Sequence, residues 1–421
     1  MQTNLIPLYQ ERPEGVVAEK ILRSCVHCGF CNATCPSYQV LGNELDGPRG
    51  RIYLIKQMLE GGEVSEKTRL HLDRCLTCQS CESTCPSGVD YHRLLNVGRQ
   101  LLEEKLPRRG LPRFKRKALA WFLTRPRLFG LLLSLGRIFQ PILPSALKSA
   151  IPSRADVKIG PLDRTVGAGL SPRVVFLHEG CVQDAISPEI NLATRAVFSA
   201  LSIDVQTLAG GCCGAIEFHL DEQAVARSRM RENIDRWHAL ISQQPSAFIV
   251  SNASGCGAFL KDYASILADD ADYLIKASEL VKRVKDPVEL IDGDELAALL
   301  SNTALVKSGH KVAYQSPCSL QHGQKLSGAV EGLLTQAGVD ISVLRDAHLC
   351  CGSAGTYSIL QSEISQELKQ RKLASIGEVS ARHVVTANIG CQTHLNSGTE
   401  LGVKHWLVLV AEMKTMTRSE S

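Results

Sequence analysis

Two stretches of the chain, CVHCGFCNATCP (residues 25–36) and CLTCQSCESTCP (residues 75–86), repeat one spacing, C-x2-C-x2-C-x3-C-P. Eight thiols so arranged restrict what the first hundred residues can become more than any other feature. Three closely spaced thiolates on one tight loop can reach three irons of a single cubane, and in two-cluster ferredoxins the fourth cysteine of each run serves the other cluster. The spacing predicts one [4Fe-4S] cluster on Cys25, Cys28, Cys31 and Cys85 and a second on Cys75, Cys78, Cys81 and Cys35. Gly29 is a small residue inside the first loop, where it lets backbone N–H groups turn towards sulfur. Structural zinc also uses C-x2-C pairs. Four-ligand zinc sites gain nothing, however, from a crossed three-plus-one pattern closed twice by proline, at Pro36 and Pro86. Two adjacent cubanes form a wire that accepts and passes single electrons.

The residues between the motifs carry more than a minimal ferredoxin needs. GPRGRIYLIKQMLEGGE has helical periodicity, with Pro48 where the helix would begin and a glycine pair where it would end. EKTRLHLDR predicts a second short helix leading into Cys75. A largely helical two-cluster domain over residues 1–104 is expected.

At 421 residues there is room for two or three domains. Hydrophobic content of 44% and charged content of 21% are ordinary for a globular protein. The opening MQTNLIPLYQERPEG has neither a basic n-region nor an apolar h-region, so no secretory signal is expected. Sixteen cysteines in a reducing cytoplasm point to metal ligation rather than to a disulfide framework. The formal charge of +4 is offset by bound clusters of roughly −2 each, so no nucleic-acid partner is inferred.

From Lys105 to Ala155 the chain contains no Asp or Glu while Lys and Arg recur. The longest apolar run there, LFGLLLSLG, is too short to span a bilayer. Residues 105–170 are expected to form a basic connector. With Trp121, Phe122 and Phe129 it suits either an anionic membrane surface or a contact with protein. The stretch PSRADVKIGPLDRTVGAGLSPR beyond it has the composition of a loop-rich boundary.

The other eight cysteines form a second internal repeat. Cys181, Cys212, Cys213 and Cys256 are matched by Cys318, Cys350, Cys351 and Cys391, at intervals that agree within three residues. RVVFLHEG, IDVQTLAG and AFIVSNASG lead to the first set, and KVAYQSP, ISVLRDAH and HVVTANIG lead to the second. Strands alternating with helical stretches such as EQAVARSRMRENIDRWHAL and EISQELKQRKLASI imply parallel sheets. Each cysteine then stands just past the carboxyl end of a strand, where open α/β sheets place their ligands. The fold class expected is an α+β multidomain chain. Its N-terminal α-helical two-cluster ferredoxin domain is followed by duplicated α/β CCG domains with parallel sheets, over residues 171–300 and 301–421. Each set of four thiols suffices for one further cluster. The vicinal pairs Cys212–Cys213 and Cys350–Cys351 also suit a dithiol–disulfide couple, and isolated cysteines otherwise serve as small buried hydrophobes. His322 and His394 follow Cys318 and Cys391 closely enough to reach the same sites.

Over nearly its full length the chain resembles the iron–sulfur subunits of bacterial glycolate oxidase (glycolate dehydrogenase). The resemblance runs through NELDGPRGRIYLIKQ, LDRCLTCQSCESTCPSGVDYHRLLNVGR, GCCGA, HLCCGSAGTYS and VTANIGCQTHL. Related CCG-domain architectures occur in heterodisulfide reductases, lactate-utilisation proteins and the anaerobic glycerol-3-phosphate dehydrogenase. The resemblance implies an electron-transfer subunit in a complex whose flavoprotein subunits carry FAD and oxidise glycolate to glyoxylate. This chain would relay electrons towards membrane quinone, as a cytoplasmic protein placed at the inner face of the membrane. In the fuller heterodisulfide-reductase pattern the last cysteine belongs to a C-x2-C pair. Here CGAF and CQTH lack the second thiol, a departure from a five-cysteine noncubane site. No G-x-G-x-x-G opens a helix after a strand, so the two-electron chemistry is assigned to a partner.

Overall fold

The computed structural model describes residues 1–142, 151–152, 159–160, 162, 173–307 and 309–419. Most of the expected loop-rich boundary before residue 173 lies outside the described residues.

The N-terminal part is helical. Pro13–Ser24, Pro48–Leu59 and Tyr91–Lys105 pack on one another around Leu22, Ile55, Met58, Leu59, Leu94 and Leu95. Pro48 occupies the first turn, where its missing N–H needs no partner, and Gly61, at φ +88°, follows the last turn. Ser65 and Thr68 form a capping box that starts the short helix Glu66–Asp73, and this helix delivers the chain to Cys75. Gly98 lets two helices close up, since a Cβ there would stand 2.6 Å from the Ile55 side chain.

Two four-stranded parallel sheets follow. The first has strands β1 (Arg173–His178), β2 (Ile203–Thr207), β3 (Phe248–Ser251) and β4 (Val284–Lys285), in the order β2-β1-β3-β4. The second has β5 (Val312–Gln315), β6 (Ile341–Ser342), β7 (His383–Thr386) and β8 (Val403–His405), in the equivalent order β6-β5-β7-β8. The central strands are buried apolar runs, as parallel sheets covered on both faces require. The duplication read in the cysteines is therefore a duplication of fold.

The two units share a core. Val175, Leu177 and Ile203 of the first sheet belong to one apolar cluster with Val312, Tyr314 and Val385 of the second. The sharing is reciprocal at the level of helices. Gly293–Leu300, which follows β4, packs on Ala329–Gln336 of the second unit, and Trp406–Ser419, which follows β8, packs on Glu189–Ala200 of the first.

The basic connector forms two helices, Gly110–Leu123 and Pro126–Phe139, bent by 96° relative to each other. No single helix among the described residues is long and apolar enough to cross a membrane. At its start, Arg108 and Arg116 bridge Asp73 and Asp221 at 2.7–3.2 Å, tying the N-terminal part to the first sheet unit. Further along, Leu111, Phe114, Trp121, Leu131 and Ile138 are exposed, and Arg125 lies 4.2 Å over the Trp121 ring.

Candidate metal centres

The two N-terminal cysteine runs build two adjoining cavities. Cys25, Cys28, Cys31 and Cys85 line the outer one, and Cys35, Cys75, Cys78 and Cys81 line the inner one. Cys81, Pro48 and Tyr91 reach both, so the cavities share a wall. Each loop bends back on itself through left-handed backbone at equivalent positions: His27 (φ 60°) and Gly29 (φ 88°) in the first, Thr77 (φ 54°) and Gln79 (φ 59°) in the second. Three of these four are not glycine. Such conformations cost of order 1–3 kcal/mol each and persist where the surroundings fix them. What they achieve is visible at Thr77, whose N–H points at Cys75 Sγ at 3.5 Å.

The donor set fits the iron–sulfur groups its spacing predicts. None of the sixteen cysteines is joined to another by a disulfide. Within the outer cavity, burial together with Cys25, Cys85 and Cys28 pushes the Cys31 thiol up to about 11. Burial and their neighbours likewise push Cys78 and Cys81 well up. Thiolates crowded in this way repel one another, and a cationic iron core held by these cysteines would relieve that repulsion and favour their deprotonated form. When bound, such cores supply one-electron redox chemistry.

A buried cation marks the inner site. Arg51 is completely buried, its Nε donating to the His71 carbonyl at 2.7 Å and its Nη2 to Ser37 Oγ at 3.0 Å. Asp46, also buried, stands 3.9 Å from Arg51, 2.9 Å from His71 Nδ1 and 3.0 Å from Arg74. Arg99 donates to the carbonyls of Leu72 and Cys75, both at 3.0 Å, and Tyr91 donates its hydroxyl proton to Cys75 Sγ at 3.6 Å. Burial alone would push the Cys75 thiol up, but Arg51 and Arg99 outweigh it and the net shift is downward. Sequence reading passed over these residues. The one available signal was the pair of arginines in GPRGR, on a stretch otherwise read only for its helix.

In the sheet units the remaining eight cysteines come together in two sets at the carboxyl ends of the strands. Cys181 follows β1, Cys212 and Cys213 follow β2, and Cys256 lies on Ser254–Lys261, just after β3. Cys212 is within bonding reach of Cys181, and Cys213 of Cys256. In the second unit Cys318 and Cys350 are 3.7 Å apart and Cys351 and Cys391 3.3 Å apart. Gly214 and Gly352, at φ +96° and +90°, turn their N–H groups onto Cys212 Sγ and Cys350 Sγ at 3.3 and 3.5 Å. A side chain at Gly352 would collide with the Ser365 carbonyl at 2.5 Å, so glycine is required there by space as well as by φ. Cys318 opens a π-helical turn, Ser319–Gly323. His322 does not face the thiols. Its Nδ1 pairs with Ser83 Oγ at 2.9 Å and its Nε2 with the His348 carbonyl at 3.0 Å, while His394 Nε2 pairs with Ser365 Oγ at 3.2 Å.

Helical thiol loops feeding two cysteine-bearing parallel sheets define a class of iron–sulfur protein. The comparisons agree: residues 21–89 match a 4Fe-4S dicluster domain, and residues 175–261 and 312–396 each match a cysteine-rich domain. The chain is 44% identical over 418 residues to the glycolate oxidase iron-sulfur subunit of Escherichia coli (strain K12), covering 98% of this chain and 99% of that one. It is 29% identical over 409 residues to a probable glycolate oxidase iron-sulfur subunit of Bacillus subtilis (strain 168), covering 90% and 89%. Lactate utilization protein A of the same strain is 25% identical over 251 residues, 58% of this chain and 99% of that protein. The chain belongs to the family of glycolate oxidase iron–sulfur subunits. Its role is iron–sulfur electron transfer within an oxidoreductase complex.

Proposed function

We propose that this chain takes electrons one at a time from flavoprotein subunits that oxidise glycolate to glyoxylate on FAD, and passes them towards quinone at the membrane. The observation that carries the reading is the tandem of two adjoining four-thiol cavities, each fit for one [4Fe-4S] cluster. Cys25, Cys28, Cys31 and Cys85 hold the outer cluster, and Cys75, Cys78, Cys81 and Cys35 the inner one. The outer site is where electrons arrive. Cys28 is exposed there, and Val26 and Phe30 beside it present apolar surface for a partner to cover. The connector supplies the other attachment: its exposed apolar residues lie on a segment free of acidic side chains, which suits the surface of an anionic bilayer on the cytoplasmic side.

Glycolate added anaerobically to the isolated chain is expected to leave its visible spectrum and its EPR signals unchanged, whereas glycolate plus the flavoprotein subunits reduces it. Glycolate oxidation by the isolated chain, or a chain carrying zinc in place of iron and sulfide, would end the reading. Thiol–disulfide exchange is a second reading, favoured by the 3.3 Å approach of Cys351 to Cys391. Both thiols are buried, however, and exchange requires access of the attacked sulfur to its partner.

A further inference from the structure

The two sheet units carry the same four-thiol pattern in different surroundings. The first unit meets the N-terminal part through charges: His92 pairs with Asp262 at 3.3 Å, and Arg108 and Arg116 pair with Asp221 at 3.0 and 3.1 Å. The second unit meets it through its thiols. Leu76, Cys350, Tyr357, Ile364 and Leu368 form one apolar cluster, against which Cys78, Cys318, Val40 and Leu41 pack. Two hydrogen-bonded bridges pin this junction. Tyr357 donates its hydroxyl proton to the Arg74 carbonyl at 3.0 Å, and His322 links Ser83 Oγ to the His348 carbonyl. Cys78 thus belongs both to the wall of the inner N-terminal cavity and to the packed rim of the second unit's thiol set.

The charges beside the two sets differ as well. Glu217, buried, lies 3.7 Å from Cys212 Sγ and is paired with Arg229 at 2.7 Å. Lys372, also buried, lies within electrostatic reach of Cys350, Cys351 and Cys391 and donates to the Asp346 carbonyl at 2.8 Å. An ammonium beside the second set favours the arrival of an electron, whereas beside the first set the Glu217 carboxylate and the Arg229 guanidinium offset each other.

We propose that Cys318, Cys350, Cys351 and Cys391 hold a redox group wired to the inner N-terminal site across the apolar cluster that contains Cys350 and against which Cys78 and Cys318 both pack, and that electrons leave the chain from this second unit and not from the first. The inference rests on the relay reading above. Each transfer moves one electron between groups held by the two thiol sets, with no bond made or broken. The electron comes from the hydroxy acid oxidised on the partner and goes to the quinone acceptor.

The test uses the full chain prepared anaerobically, with iron and acid-labile sulfide counted and EPR spectra recorded on the fully reduced protein. Cys351→Ser is expected to remove about four irons per chain, and to narrow the signal of the inner N-terminal site by taking away a paramagnetic neighbour. Cys213→Ser is expected to leave that signal as in the wild type. If Cys351→Ser does not accumulate as folded protein, Cys318→Ser, whose thiol stands at the junction itself, serves for the same two readings. Unchanged iron content and line shape in the second-unit variant, or narrowing in Cys213→Ser instead, overturns the proposal. Absence of both N-terminal signals from the wild type is a different outcome: it overturns the relay reading on which this inference stands.

Discussion

Arg51 is the residue whose placement carries most chemistry beyond the thiols. A guanidinium with no solvent contact is kept only where neighbouring groups compensate its desolvation, and those around it are the Tyr91 hydroxyl, the thiols of Cys75 and Cys35, and Asp46. Burial works against its charge, yet these neighbours hold the group above its ordinary value. Replacing it by Met should lower the midpoint potential of the inner site by on the order of 50–100 mV, the equivalent of one nearby charge at an effective dielectric of about 20. Stability should fall by about 1–3 kcal/mol, because the hydrogen bonds to the His71 carbonyl and Ser37 are lost while Asp46 keeps Arg74 and His71. Arg99→Met, on a half-buried residue, should move the potential in the same direction with a smaller loss of stability. EPR-monitored redox titration reads both, and midpoints equal to the wild type in both variants would rule the role out. The thiol positions were legible because spacing alone encodes them. Arg51, Asp46 and Tyr91 were not, since a helical period marks which face is buried but not which polar group is buried with it.

The exchanged helices set the behaviour of the sheet units at the next scale. Trp406 is buried at the start of a helix that belongs to the second unit by sequence and packs against Glu189–Ala200 of the first. Trp406→Ala should destabilise the protein by about 3–5 kcal/mol. Hydrogen exchange should quicken in Glu189–Ala200 as much as in β7 and β8, because the cavity opens in a core common to both. Faster exchange confined to the second unit would mean that the units fold independently. The strands preceding each cysteine were readable as short apolar runs, and the parallel order followed from alternation with helices. The exchange was not readable. An apolar helix face demands a cover, but nothing in its periodicity says which sheet provides it.

At the scale of the whole molecule, two buried histidines make the sheet units sensitive to acid, His178 inside the first unit and His405 on the seam between them. His405 donates from Nε2 across the seam to the Asn252 carbonyl at 3.0 Å and accepts at Nδ1 from the Leu407 N–H of its own unit, a neutral tautomer with both nitrogens engaged. Burial pushes its pKa down to about 3, and that of His178 down to about 4. In the unfolded chain both titrate near 6.5 and bind protons that the fold refuses. Their contribution is therefore complete above about pH 6.5 and is lost as the pH falls towards 4, at about 1.4 kcal/mol per pH unit for each. His405→Gln should flatten the slope by that amount in denaturation curves taken at pH 4.5, 5.5 and 6.5, and an unaltered slope would refute the assignment. The open lip at Cys28 has a consequence of its own. Every other thiol is sheltered to some degree, so wear is not shared evenly along the wire. Where no partner covers that lip, dioxygen reaches the outermost thiol first, and the front of the conductor wears before its interior.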